Sequence, residues 1–242
     1  MRKRSIWLAA IGAVIVLIVA GALVYTSRFA STGGQTHTAS GPIATTTGVA
    51  TTGAAATTTS STSPQTFQIV PAQTTASYSV YENLIFQNKP NNDAIGTTHS
   101  VQGNFQIQTG AAPLVTAMSV KVDLSTLQTD SQMRDNYVRK RALETDTYPD
   151  ATFVSVSTQG LPASYNDGQS VHFQLTGNLT MHGKTNKEVF DVQGKVAGKT
   201  VTGTATSTIY MMDFGIQPPN LANIAISQNK VLVTINFTAK EA

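Results

Sequence analysis

The 242-residue sequence contains no cysteine. Disulfide bridges, a lipid-modified cysteine, a thiol nucleophile and thiolate metal sites are therefore excluded. A domain that leaves the cytoplasm would have to rely on its hydrophobic core for stability. The chain after Gln65 is long enough to bury such a core.

Charge is also scarce, since only 12% of the residues are Asp, Glu, Lys or Arg. From Thr66 onward the basic and acidic side chains nearly balance, and no stripe of positive charge is present. Nucleic acid is therefore not an expected partner. Four of the sixteen basic residues instead flank one apolar run near the N-terminus: Arg2, Lys3, Arg4 and Arg28.

This apolar run covers residues 6–25 and contains no charged side chain. Twenty helical residues span about 30 Å, the thickness of a hydrocarbon core. By the positive-inside rule, residues 1–5 lie in the cytoplasm and the rest of the chain lies outside it. We predict an uncleaved transmembrane signal anchor, so the protein is expected at the cell membrane. If the segment were instead a cleaved signal peptide, the same domain would be secreted.

Residues 26–65 are predicted to be a disordered Thr/Ser-rich linker. From Ser31 to Gln65, 30 of 35 residues are Thr, Ser, Gly, Ala or Pro. Such a composition cannot bury enough apolar surface to offset its ordering entropy. A flexible chain of this length has an end-to-end distance of roughly 30–35 Å. Glycosylation of its threonines remains an open possibility.

Residues 66–242 are dominated by alternation of apolar and polar side chains. The pattern is clearest near residues 117–124, 171–181 and 231–237, and further candidate strands lie between Phe67 and Met212. Turn signals such as Asn166-Asp167-Gly168 and His182-Gly183 separate them. Eight or nine strands, several of them long, predict an antiparallel eight-stranded β-barrel of the lipocalin type.

One segment departs from this alternation. Met133 to Glu144 is predicted to be a short helix across one barrel end, capped by Asp130 or Ser131 and ended before Tyr148-Pro149. Its basic triplet at residues 139–141 could contact anionic groups, although a solvated helix face explains it more simply.

Sequence motifs of catalysis are missing. The chain has no GxSxG, HExxH, Walker or GxGxxG motif. We therefore predict a protein that is not an enzyme, with no cofactor, no catalytic residue and no metal. His99 together with His172 or His182 remains a conceivable metal pair, although a hydrogen-bonded structural role is the simpler interpretation of each.

Large apolar side chains are the most distinctive feature of the predicted strands. In a small barrel they either fill the interior or line a slot for one ligand, and the sequence leaves these two alternatives open. The candidate interior residues are Tyr78, Phe105, Met118, Val120, Val122, Phe153, Phe173, Leu175, Leu179, Met181, Phe190, Tyr210, Met212 and Phe214.

Four motifs in the same order resemble the YceI-like family of lipid- and polyisoprenoid-binding proteins. They are Gly96 to Gly103, Arg134-Asp135-Asn136 with Tyr148 to Phe153, Leu175 to Gly183, and Phe214 to Pro219. The resemblance implies a lipocalin-like barrel that holds a long isoprenoid or fatty chain for storage or transfer. It implies no catalytic residue.

The leading hypothesis is therefore a membrane-anchored, extracytoplasmic lipid-binding protein, which could also form a homodimer. A surface adhesion or carbohydrate-binding module is a second hypothesis, although the sole tryptophan, Trp7, lies in the anchor. A metal-dependent enzyme with His99 and His182 at a barrel mouth is a third.

Overall fold

The computed structural model describes residues 63–221 and 224–242. The predicted anchor and nearly all of the predicted linker lie outside the described residues. Within the described part, no helix is long and apolar enough to cross a bilayer.

Thirteen strands and one short α-helix make up the described part of the chain. The strands are β1 (Gln65–Ile69), β2 (Thr75–Leu84), β3 (Lys89–Thr98), β4 (Val101–Gln108), β5 (Gly110–Ala111), β6 (Leu114–Asp123), β7 (Asp150–Gln159), β8 (Ser164–Tyr165), β9 (Ser170–Met181), β10 (Lys184–Ala197), β11 (Thr200–Tyr210), β12 (Asn220–Leu221) and β13 (Ala225–Glu241). The helix α1 spans Gln132–Tyr137 and continues into one π-helical turn, Val138–Ala142.

A closed antiparallel barrel is formed by eight of these strands, in the order β1, β4, β6, β7, β9, β10, β11, β13 and back to β1. β13 has 17 residues and pairs with β1 at its end and with β2 over most of its length. β1 pairs with β4, and β2 pairs with β3. Together β1 and β2 therefore form one long strand with a short interruption, and β3 and β4 form its partner. The predicted eight-stranded antiparallel barrel is confirmed.

The two ends of the barrel differ. At the first, which we call the mouth end, lie the start of β1, the β4–β6 and β7–β9 loops and the β10–β11 turn, as the pairs Gln65↔Ile107 and Ala197↔Thr200 require. At the second, the helix end, lie α1, the β9–β10 turn and the 3-10 helix Met211–Phe214. Everything between β6 and β7, including α1, is therefore at the helix end.

The β9–β10 turn shows how local chemistry sets the register. His182 and Gly183 both have positive φ, at 51° and 72°, between the paired residues Met181 and Lys184. Two such residues make the tight hairpin turn that matches the natural strand twist. The predicted turn at His182-Gly183 is confirmed.

The helix also forms where the sequence predicts it. Ser131 is the N-cap, and its Oγ accepts a hydrogen bond from the Arg134 backbone N–H at 3.4 Å. The π-helical turn that follows ends before Glu144, whose φ of 48° is incompatible with a continued helix. In the basic triplet, the Arg139 guanidinium donates to the Leu127 carbonyl at 3.0 Å and so holds the preceding loop.

Candidate functional site

An apolar cavity of about 110 Å³ occupies the interior of the barrel at the mouth end. Almost every atom that faces this cavity is apolar. All eight barrel strands contribute inward-facing residues to its wall, β1 through Ile69 alone. An apolar cavity of this kind does not attract water, because a buried water needs two to four polar partners.

Seven of the fourteen candidate residues line the cavity. All seven sit on strands at inward-facing positions, which are the positions that the alternation predicts. They are Phe105, Met118, Val120, Phe153, Phe173, Leu175 and Phe190.

Five further candidates face the interior but pack into the solid core at the helix end. Leu179, Met181 and Phe214 are buried in that core, and Tyr78 and Val122 pack against it. These five fill the barrel, whereas the previous seven leave space. Large apolar side chains therefore fill the interior in one part of the barrel and line a cavity in another.

The prediction that Tyr210 and Met212 face the interior is wrong. In β11 the inward-facing side chains are at odd positions, such as Val201 and Ile209, so Tyr210 points outward and is 46% exposed. Met212 lies beyond the strand in the 3-10 helix Met211–Phe214 and is 55% exposed. The strand alternation does not continue into that helix, and the inward side chain there is Phe214.

Several cavity-lining residues are absent from the candidate set. Some are apolar residues on the inward faces of predicted strands, where the same alternation identifies them: Val171, Val192, Val196, Val201, Ala205, Ile235 and Phe237. Others belong to the mouth loops, which carry no alternation at all: Pro113, Leu161, Pro162 and Tyr165. The loop residues could not be recognised from a strand pattern.

The mouth loops are joined by a short two-stranded sheet, which we call the mouth strap. β5 of the β4–β6 loop pairs with β8 of the β7–β9 loop, and the Ala112 N–H donates to the Ala163 carbonyl at 3.0 Å. The Tyr165 hydroxyl accepts from the Val196 N–H and donates to the Val196 carbonyl, both at 2.7 Å. The strap is thereby attached to the rim of the barrel next to the cavity.

A polar cluster lies inside the opposite end. Glu82 on β2 is buried and accepts from the Arg134 guanidinium at 2.6 Å, while Arg134 also pairs with Asp130. Burial alone would lower the pKa of Arg134, but its contacts with Glu82 and Asp130 outweigh burial and raise that pKa. This ion pair attaches the helix to the barrel interior.

Tyr78 belongs to the same end of the molecule. Its hydroxyl is buried, and no described residue is placed to hydrogen-bond with it. Burial raises the pKa of Tyr78 to about 12, so the hydroxyl is neutral at physiological pH. The ring covers Gly96, where a Cβ would lie 2.2 Å from the ring atom Cε1.

The histidines do not assemble into a metal site within residues 63–221 and 224–242, where no three His, Asp or Glu side chains converge. His99 Nδ1 lies 2.8 Å from the Thr74 carbonyl, and His172 lies on the exposed outer face of β9. His182 stacks on Tyr148, with ring centroids 4.8 Å apart, and its Nδ1 lies 3.2 Å from the Phe214 carbonyl. Each of these contacts is typical of a structural histidine.

Comparison with known proteins identifies the family of this barrel. A family model described as the YceI-like domain matches residues 67–239. The chain belongs to the YceI-like family. This finding confirms the resemblance that the four sequence motifs indicate.

Relatives of this YceI-like chain occur in Pseudomonas putida. A UPF0312 protein of that organism is 33% identical over 131 residues, which are 51% of this chain and 64% of the relative. A second such protein, from another strain, is 31% identical over the same length. The chain therefore matches less than two thirds of the length of these curated relatives.

Two solved structures share the YceI-like fold. Burkholderia cenocepacia BcnA has a TM-score of 0.53 at 20% identity, over 71% of this chain and 99% of its own. A polyisoprenoid-binding domain from Saccharophagus degradans has a TM-score of 0.58 at 14% identity, over 73% of this chain and 98% of its own. At such identities the likeness shows the fold alone.

The YceI-like motifs occupy structural positions in the barrel. Asp135 is buried and accepts from both the N–H and the hydroxyl of Thr129 at 2.7 Å, which closes the loop before α1. Gly183 needs its positive φ, and a Cβ there would lie 2.9 Å from the Tyr148 ring. Asp135 and Gly183 build the helix end, whereas Phe153 and Leu175, which also belong to these motifs, line the cavity.

Proposed function

We propose that this protein is a membrane-anchored carrier, acting outside the cytoplasm, that binds the apolar chain of an isoprenoid or another long lipid in the barrel cavity. The observation that carries the proposal is the cavity of about 110 Å³, which is surrounded by the barrel strands, opens at the mouth loops and is lined almost wholly by apolar atoms. An engineered cavity of about 150 Å³ suffices to bind benzene. The smaller space present here suits a short segment of a slender apolar chain.

The chemistry of the wall supports binding and not catalysis. The inward-facing groups around the cavity are aliphatic and aromatic side chains, which attract a hydrocarbon through burial of apolar surface at about 0.8 kcal/mol per CH₂ group. The ion pair of Glu82 and Arg134 lies at the helix end, among residues that do not line the cavity. A structural neighbour described as a polyisoprenoid-binding domain is consistent with this ligand class.

The position of the predicted anchor supports delivery at a bilayer. β1 begins at Gln65, which pairs with Ile107 beside the cavity, so the chain enters the barrel at the mouth end. Leu114, on the rim of the cavity, is 44% exposed. With an anchor at residues 6–25 and a linker at residues 26–65, the mouth would be the end tethered towards the lipid surface. A cavity that opens towards the bilayer gives a lipid chain the shortest path through water.

The direct test is to extract the bound lipid and determine its mass. The full-length chain, purified in a mild detergent, is extracted with organic solvent and analysed by mass spectrometry. We expect a lipid with a long apolar chain in near-stoichiometric amount. An Ala205→Phe variant, which fills the cavity, should lose this lipid.

The matched control is Thr204→Phe, which places the same ring on the outer face of the same strand. This variant should retain the lipid. An empty wild-type protein, or equal lipid content in the Ala205→Phe and Thr204→Phe variants, would contradict the proposed function.

A further inference from the structure

The cavity ends at one level all around the barrel. On each strand the lining stops at a definite residue, and the next inward-facing residue towards the helix end no longer lines it. Cross-strand pairing places several of the last lining residues beside each other: Val120↔Phe153, Phe190↔Leu175 and Ala205↔Ile235. The cavity therefore has a floor part-way along the barrel.

Two phenylalanine rings form the centre of this floor. Phe153 on β7 and Phe190 on β10 meet edge to face, with centroids 5.0 Å apart and planes at 74°. Both side chains are buried and both line the cavity. Edge-to-face aromatic pairs are favourable beyond the area they bury, which stabilises the contact of the two rings over β9, the strand between β7 and β10.

Gly177 on β9 makes room for this arrangement. A Cβ at residue 177 would lie 2.3 Å from Cζ of Phe153 and 2.5 Å from the backbone carbonyl of Val154. The Phe153 ring therefore lies directly over the Gly177 backbone and extends into the lumen. A larger residue at position 177 would displace both the ring and the neighbouring strand.

Below the floor, large side chains pack in the barrel interior. Leu179 and Met181 pack there with Phe214 and Ile216, which the loop after β11 supplies, and none of them lines the cavity. A chain that enters at the mouth thus meets the two rings before it reaches this core.

We propose that the Phe153–Phe190 pair is a depth stop that limits how much of a lipid chain the barrel can hold. This inference rests on the proposed function. From Val196 at the mouth to Phe190 at the floor, a strand at ordinary rise and tilt gives an axial depth of about 15 Å, which limits a straight inserted chain to at most about ten to twelve carbons. The substrate class is then a lipid that inserts only the end of its chain, within this limit, and leaves the remainder and its polar group at the mouth.

The depth stop predicts how binding affinity depends on the length of the lipid chain. Each methylene buried above the floor strengthens binding by about three- to fourfold, and methylenes that cannot pass the rings add little. Removing one ring opens additional depth, so only chains longer than the present limit should gain. Shorter chains, which do not reach the rings, should bind as before.

The experiment is a competition between straight-chain fatty acids of 8 to 18 carbons. An equimolar mixture is incubated with the full-length chain in non-ionic detergent, and the bound masses are read by native mass spectrometry. The occupancy of each acid in Phe153→Ala is divided by its occupancy in wild type, because this ratio cancels partitioning into the detergent. We expect the ratio to be flat up to the limit and to rise about threefold per carbon over the next two to four carbons.

Three variants accompany Phe153→Ala. Phe153→Leu opens less space and should show a smaller rise, which keeps the test valid if Phe153→Ala does not fold. Ala205→Leu, at the same level, should lower the ratio for the longer acids. The matched control, Val154→Ala, alters the adjacent outward-facing residue, which is 50% exposed, and should give a flat ratio.

A flat ratio in folded Phe153→Leu and Ala205→Leu would overturn the depth stop while leaving the carrier function in place. Failure of wild type to bind any of the acids would instead overturn the proposed function, and the depth stop with it.

Discussion

The mouth half and the helix half of this barrel use the same strands but differ in what fills them. In the helix half, segments outside the strands contribute large side chains to the interior: Leu124 and Leu127 before α1, and Phe214 and Ile216 after β11. In the mouth half the corresponding loops stay at the rim, and the strands carry small inward residues such as Ala205. An eight-stranded barrel is therefore filled or hollow according to whether its connections enter it.

The difference predicts that equal truncations will have unequal costs. Leu175 and Leu179 are inward-facing leucines on β9, 3% and 7% exposed, and belong to one buried cluster, but only Leu175 lines the cavity. We expect Leu179→Ala to lower the free energy of unfolding by about 3–4 kcal/mol and Leu175→Ala by about 2 kcal/mol, because a side chain beside a void loses fewer contacts. Urea unfolding measures both. Equal costs would contradict the division into a hollow half and a solid half.

The ion pair of the helix half provides the next prediction. Arg134→Met leaves the buried Glu82 carboxylate with the Asn92 amide but without its charged partner, and should cost about 2–4 kcal/mol, because an uncompensated buried charge is expensive. The double variant Glu82→Gln with Arg134→Met should recover most of this loss. Denaturant unfolding of both variants tests the pair, and an equally unstable double variant would show that Arg134 acts in another way.

The mouth strap predicts a kinetic effect with little change in stability. Tyr165→Phe removes the hydroxyl that bridges both backbone groups of Val196, so the strap should open more often. We expect ligand to associate and dissociate roughly two- to tenfold faster, with a loss of stability of about 1 kcal/mol. Stopped-flow measurement with a fluorescent fatty acid follows both rates. Unchanged rates would mean that the strap does not limit access.

The smallest expected effect comes from Glu188 on β10 in the helix half. Burial raises the pKa of the Glu188 carboxyl, and the nearby Asp213 raises it further. The folded state therefore holds this proton more tightly than the unfolded state, and stability is lost as pH rises through that range. Glu188→Gln should raise the melting temperature by roughly 1–2 °C at pH 8 and not at all below about pH 4. Thermal unfolding at the two pH values tests this prediction. An equal rise in melting temperature at both would exclude ionisation of Glu188 as its cause.

The strands, turns and helix of this fold could be predicted because their signals are local. Alternation identifies which side chains face inward, and the two residues His182-Gly183 define a hairpin turn. Ser131 caps the helix through the N–H of Arg134, three residues further along the chain. Each of these depends on neighbours within a few residues. For this reason the candidate residues on β4, β6, β7, β9 and β10 face the barrel interior, as the alternation predicts.

The extent of the cavity could not be predicted, because alternation gives the direction of a side chain but not its height along the barrel. Leu175 and Leu179 follow the same pattern, yet one lines space and the other lies in the core that Phe214 helps to fill from a distant loop. Likewise, the alternation on β2 indicates that Glu82 faces inward, but it does not identify its partner, Arg134, which is 52 residues away in sequence. Met212 was misplaced because it follows a strand without belonging to it.

The most direct test of the central claim is to locate a bound chain within the barrel. Methyl groups of Ile, Leu and Val are labelled in the full-length protein, and intermolecular NOEs to unlabelled dodecanoic acid are recorded. The account predicts NOEs to Leu175, Val192 and Ile235, which line the cavity, and none to Leu179, Ile209 or Val231 in the solid half. NOEs to the second set in the wild-type protein, or only to the exposed outer methyls of Val154 and Val156, would contradict it.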